Sequence, residues 1–162
     1  MNTMKKVMIA LDFHPSAKNV LEKGYSIAKS MGAKVVLLHV KINLMSYSLT
    51  YKRMGFLQLE TVEDLELAAH TFLEKSKTIL NDNMVQTIVK QGNFAESILD
   101  TAKEMAVDVI VMGSHSTKWL EEIVMGRVTN DILQQSEIPI LIIPTRKQNE
   151  ADTIISLTKQ MK

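Results

Sequence analysis

The chain has 162 residues and a mass of 18.3 kDa, the size of one domain able to bury its own core. Hydrophobic residues make up 46% and charged residues 23%, with 19 basic against 18 acidic side chains for a net charge of +1; such proportions exclude disorder, collagen and coiled coil, and give no electrostatic footprint for nucleic acid or an anionic membrane. The absence of cysteine excludes disulfides, thiol catalysis, iron–sulfur clusters and thiolate zinc sites.

The first residues lead straight into Val7-Met8-Ile9-Ala10-Leu11, too short for a signal-peptide core and without a small-residue cleavage site after it. No apolar run reaches the roughly 18 residues of a membrane helix, so the expectation is a soluble, cytoplasmic protein. Val7–Leu11 is the first of five short runs rich in Val and Ile, the pattern of strands. Val20, Tyr25, Ile27, Ala28 and Met31 follow at helical spacing, and Gly32 stands where a helix stop belongs. The second strand is Val35–Val40. Lys41 to Gln58 then forms a long connection holding Met45, Tyr47, Tyr51, Met54 and Phe56; such loops are lids, interfaces, disorder, or surface loops tucked onto the body.

Leu65, Ala68, Ala69, Phe72, Leu73, Ser76 and Leu80 predict a second helix, and Met84–Val89 a third strand. The polar residues of that strand and its closing Lys90 suit a sheet edge. Phe94, Ile98, Leu99, Ala102 and Met105 predict a third helix, Val107–Met112 a fourth strand, and Ile123, Val124, Val128, Ile132 and Leu133 a fourth helix. The fifth strand, Ile138–Ile143, is wholly apolar, with Pro139 at its start, where proline is tolerated. The expected domain is 1–144. In the tail, 145–162, Ile154, Leu157 and Met161 recur at helical spacing, and a short C-terminal helix, docked or frayed, is expected. Strict alternation of strand and helix means parallel strands joined by right-handed crossovers. Near-continuous apolar strands agree, because helices cover both faces of a parallel sheet.

Ligands of open parallel sheets bind beyond the carboxyl ends of the strands. The loops there are Asp12-Phe13-His14-Pro15-Ser16 after the first strand, Lys41 after the second, and Gly113-Ser114-His115-Ser116-Thr117-Lys118 after the fourth. Glycine, hydroxyls and lysine suit an anion. Gly126 then precedes Arg127-Val128-Thr129 and a helical pattern, and amides at a helix start favour phosphate. Turn formation by Gly113, helix opening by Gly126 and capping by Asp12 explain the same residues without a ligand, and spacing alone does not choose.

Other chemistries are excluded by pattern. There is no Walker loop, no Gly-x-Gly-x-x-Gly and no Gly-x-Ser-x-Gly elbow. A phosphorelay receiver would need an acidic pair after the first strand and an aspartate after the third, where the chain instead reads Val89-Lys90-Gln91. His14, His39, His70 and His115 form no metal-ligand spacing. His39 reads as a satisfied core histidine and His70 as lying on an exposed helix face, while His14 and His115 flank the cleft. No nucleophile stands with a base, so an efficient enzyme is not expected.

The motifs Val7-Met8-Ile9-Ala10-Leu11-Asp12, Gly92-Asn93-Phe94, Asp108-Val109-Ile110-Val111-Met112-Gly113-Ser114-His115, Gly126-Arg127-Val128-Thr129 and Ile138-Pro139-Ile140-Leu141-Ile142-Ile143-Pro144 together resemble the universal stress protein family. The resemblance runs unbroken over about residues 4 to 144. It implies an open five-stranded parallel sheet in the order 3-2-1-4-5 with helices on both faces, Rossmann-like and similar to the adenine nucleotide alpha hydrolases. It implies a homodimer paired through the fifth strand (Ile138, Ile140, Leu141, Ile142, Ile143), and an uncovered apolar edge of this kind would invite aggregation.

The resemblance further implies a stress-response module with no required cofactor, whose candidate ligand is ATP, with Mg, or AMP. The nucleotide-binding positions it points to are Ala10, Leu11, Asp12, Val40, Met112, Gly113, Ser114, His115, Ser116, Gly126, Arg127, Val128 and Thr129. Members that bind ATP carry glycine, two residues, glycine, nine residues, glycine, then serine or threonine. Here Gly113 and Gly126 match, whereas Ser116 replaces the second glycine and Arg127 the hydroxyl residue. If that glycine requires positive φ, serine is strained by roughly 1 kcal/mol or more, and Arg127 is bulky, though cationic. A nucleotide-binding module, an interaction dimer that has lost the ligand, and a slow ATP hydrolase all remain open at this point.

Overall fold

The computed structural model describes residues 5–13, 15–41, 62–114 and 125–145. The elements are β1 (Lys6–Ala10), α1 (Ala17–Ser30), β2 (Lys34–Lys41), α2 (Val62–Leu80), β3 (Gln86–Gln91), α3 (Phe94–Glu104), β4 (Val109–Gly113), α4 (Met125–Gln135) and β5 (Ile140–Ile143). All strand pairs are parallel, in the order β3-β2-β1-β4-β5. The fold is therefore the expected α/β sheet, with the polar third strand and the apolar fifth at its edges. Residues 42–61, most of the long connection, and 146–162, nearly all of the tail, lie outside the described residues.

Side-chain alternation along the strands splits the core into two layers. Val7, Ile9, Leu11, Val35, Leu37, Val111 and Ile143 pack with Val20, Leu21 and Ala28 of α1 and Leu73 of α2. Met8, Val36, Leu38, Val40, Ile110 and Met112 pack with Ala95, Ile98, Leu99 and Ala102 of α3 and with Val128 and Ile132 of α4. The central strands β1, β2 and β4 are apolar on both faces because both faces are covered.

Three strands begin two residues later than the apolar runs suggest, each for a local reason. At β3, the Asp82 carboxylate accepts from the Met84 N–H at 2.9 Å, and the Val85 N–H donates to the Asp82 carbonyl at 3.3 Å, so the turn uses up the first residues of the run. Asp82 also accepts from the Tyr25 hydroxyl and pairs with Lys29, both at 2.8 Å. The Lys29 ammonium, then the Tyr25 hydroxyl and the Met84 amide, hold its carboxyl down at about 2. At β4, the Val107 N–H donates to the Ala102 carbonyl at 2.9 Å and so closes the end of α3, and the ladder with β1 opens at Val109. At β5, the Ser136 hydroxyl donates to the Ile138 carbonyl at 2.7 Å and accepts from its N–H at 3.1 Å. Proline at 139 has no N–H to give, and the ladder with β4 opens at Ile140.

Helices α1 and α3 end in the same way. Ala33 N–H donates to Ala28 and Gly32 N–H to Lys29 at the end of α1; Val107 N–H donates to Ala102 and Ala106 N–H to Lys103 at the end of α3. Both are Schellman motifs, which need a left-handed residue just past the helix. Gly32, at φ +64°, meets that need freely, but Ala106 is held at φ +51°. A Cβ there costs about 1–2 kcal/mol, and glycine loses about 0.5–1 kcal/mol more chain entropy on folding. Ala106→Gly is therefore expected to stabilise the protein by roughly 0.5–1 kcal/mol, read as a higher urea midpoint at unchanged slope. An unchanged or lower midpoint would contradict the strain.

Candidate functional site

The chain lays β2 and β3 on one side of β1, then crosses to lay β4 and β5 on the other. That reversal is a switch point at the carboxyl ends of β1 and β4, the place where open α/β sheets bind ligands in a crevice. Each crossover helix runs back against its strands, so α4 starts at this same end of the sheet. Its first turn carries amides that have no partner within the helix. Gly126 and Arg127 lie in that turn, and Val128 and Thr129 follow.

Alternation decides which predicted residues share the crevice. Val40 at the end of β2, Met112 in β4 and Val128 in α4 belong to one packed cluster, and Ala10 at the end of β1 packs against it. Four positions from four elements thus belong to the layer that α3 and α4 cover. Leu11 points the other way, into the cluster under α1 and α2, which leaves only its backbone at the tip. Asp12 is half-buried immediately beyond. Gly113 pairs with Ile143 in the last step of the ladder between β4 and β5.

Ser114 fixes the start of the loop after β4. Its N–H donates to the Ile143 carbonyl at 3.0 Å, and its hydroxyl accepts from the Thr145 N–H at 2.9 Å and lies 3.3 Å from the Thr145 hydroxyl. Thr145 is buried. The Ser114 side chain is thus turned toward the exit of β5, and Thr145 becomes part of the rim, a role that its position after a strand-ending proline did not advertise. His14, His115 and Ser116 lie outside the described residues.

At the β2 side of the crevice stands an aromatic group. His39 is buried, as expected of a core histidine, but its surroundings are specific. Its Nδ1–H donates to the Leu11 carbonyl at 2.8 Å. Its ring centroid lies 4.4 Å from that of Phe13 and 5.6 Å from that of Phe72 on α2, and the two phenylalanines are 5.0 Å apart. Burial pushes its pKa below the ordinary imidazole value, against the opposing pull of the Leu11 carbonyl and the nearby Asp12 carboxylate. Two residues on, Lys41 pairs with Glu66 of α2, which also meets the exposed His70 at 3.1 Å.

The sequence held a signal for the His39 contact. His39 has the parity of Val35 and Leu37 in β2 and so belongs on the α1–α2 face, level with the end of β1. Among the described residues no group of His, Asp or Glu is placed to hold a metal ion, and no helix is long and apolar enough to cross a membrane.

Comparison with known proteins agrees with this architecture. A sequence model described as the universal stress protein family matches residues 3–144. Universal stress protein A of Escherichia coli (strain K12) is 27% identical over 151 residues, covering 90% of this chain and 98% of that protein. The hypothetical protein MJ0577, solved as a test of assigning biochemical function from structure, superposes with a TM-score of 0.69 at 26% identity, over 91% of this chain and 100% of that chain. A universal stress protein from Archaeoglobus fulgidus, solved in complex with dAMP, superposes with a TM-score of 0.57 at 20% identity, over 88% and 99%.

Proposed function

Because the chain belongs to the universal stress protein family, we propose that it binds an adenine nucleotide, ATP or AMP, at the carboxyl ends of β1 and β4. The observation that carries this reading is that Ala10, Val40 and Met112, at or near the carboxyl ends of three strands, and Val128 in the opening turns of α4 share one apolar layer. These side chains offer an apolar seat for a base. Asp12 stands at its rim with a carboxylate suited to ribose or base-edge hydrogen bonds. Backbone amides at Gly113 and in the first turn of α4, around Gly126, Arg127 and Thr129, suit phosphate oxygens. The dAMP complex of the Archaeoglobus relative makes the ligand class reasonable, with Mg accompanying the triphosphate if ATP is bound. The reading assigns binding, not turnover.

The protein would work as a homodimer paired through β5. Ile140, Leu141 and Ile142 are only half-buried on that edge strand, and a second copy would cover them. A second reading rests on Ser116 and Arg127, which depart from the phosphate-loop pattern of ATP-binding members. In it the dimer acts through its surfaces, without nucleotide.

Thermal denaturation with and without ATP or AMP separates the two. A nucleotide at 100 times its Kd should stabilise by about 2.7 kcal/mol. No shift at millimolar nucleotide favours the second reading. A shift that appears only in a Ser116→Gly, Arg127→Ser double variant would assign the loss to those two positions.

A further inference from the structure

The last rung of the ladder between β1 and β2 joins Ala10 to Leu38. Beyond it, β1 is held by consecutive residues of β2. The Leu11 N–H donates to the Leu38 carbonyl at 2.9 Å, and the Leu11 carbonyl accepts from His39 Nδ1 at 2.8 Å. A side chain therefore takes over where the strand ladder stops. The same imidazole packs against Phe13, at 4.4 Å between ring centroids. Asp12 lies between these two contacts, with its neighbour on each side fixed by one ring.

We infer that His39 is a positioning residue: its imidazole pins Leu11 and Phe13 and so sets where the Asp12 carboxylate stands at the rim of the crevice. The geometry favours rigidity over a passing contact. The ring is 4% exposed, and Phe72 of α2 packs against both the imidazole, at 5.6 Å and 71° between the ring planes, and Phe13, at 5.0 Å, so the three rings form one cluster. The carbonyl acceptor also fixes the neutral ring as the Nδ1–H tautomer, since two acceptors cannot share a hydrogen bond. Two pinned residues leave the intervening backbone few conformations, so Asp12 meets a ligand with its ordering entropy already lost. This inference rests on the reading of Asp12 as a nucleotide-binding carboxylate.

Three forms of the full chain test it: wild type, His39→Leu and His39→Asn. Leucine keeps an apolar side chain against the two phenylalanines and removes the donor. Asparagine places an amide N–H close to the Nδ1 position. Backbone 15N relaxation of residues 11–13, measured without ligand, should show a clear loss of order in His39→Leu and its return in His39→Asn. The Kd for AMP should rise tenfold or more in the first and fall back to within about threefold of wild type in the second. Should His39→Leu not fold, His39→Gln replaces it, because its amide N–H reaches past the Nδ1 position.

Unchanged order at Asp12 in His39→Leu would overturn the tether. Lost order with an unchanged Kd would overturn its service to the site. If wild type ignores nucleotide altogether, the proposed function fails, and the relaxation contrast still judges whether His39 holds the tip of β1.

Discussion

Asp12→Ala is expected to weaken adenine-nucleotide binding by about 10- to 150-fold with little loss of fold stability. The range follows from one lost hydrogen bond to a charged group, about 1.5–3 kcal/mol, at 1.4 kcal/mol per tenfold. Stability should hold because Asp12 lies beyond the last paired residue of β1 and outside both core clusters. Its backbone neighbours keep their contacts to His39 in the variant. Asp12→Asn should fall between, since the amide oxygen still accepts a hydrogen bond but carries no charge. Calorimetric titration with AMP and with ATP reads both variants. A similar loss for the two ligands would put the carboxylate on the nucleoside, which they share. A loss confined to ATP would move it toward the phosphates or their metal, and an unchanged Kd would remove Asp12 from the site.

That Asp12 stands just beyond the carboxyl end of β1 was legible from the sequence, because the rule that produces it is periodic. Apolar runs of four to eight residues gave the strands, and alternation with helical spacing made them parallel. The carboxyl ends then became the place to look. The same periodicity puts Ala10 and Val40 on one face and Leu11 on the other, a distinction missing from a plain list of loop residues. The order of the strands was not written in the periodicity and came with the family resemblance. The starts of β3, β4 and β5 lie two residues beyond the starts of the apolar runs. At β3 and β5 the deciding groups are side chains outside the apolar pattern, the Asp82 carboxylate and the Ser136 hydroxyl, and at β4 the Val107 N–H is taken by the end of α3. His39 and Thr145 acquire their roles from contacts 28 and 31 residues distant in the chain. A local reading sees a buried histidine and a threonine after proline, and only the juxtaposition of strand ends reveals what each one holds.

Gly24→Val should cost about 3 kcal/mol or more of stability, the largest loss expected from one residue near the crevice. Gly24 lies inside α1, where alanine would add about 1 kcal/mol of helix propensity. An ideal Cβ there, however, would stand 3.0 Å from Val111 Cγ1 and 3.1 Å from Ile9 Cδ1. Both neighbours are completely buried and belong to β4 and β1, the two strands that border the crevice. Overpacking of this kind costs about 1–3 kcal/mol for a small addition. Alanine should thus come out neutral to mildly destabilising, whereas valine brings two further methyls against the same wall. At about 2–4 °C per kcal/mol for a chain of this length, the Gly24→Val melting temperature should fall by about 6–12 °C. Val111→Ala removes the nearest obstructing methyl, so Gly24→Val combined with Val111→Ala should lose less than the sum of the two single changes, as contacting sites do. Strict additivity would mean that α1 simply moves off the sheet. The nucleotide Kd would then rise in Gly24→Val together with the loss of stability, because the strands beneath α1 carry Asp12 and Gly113 at their ends.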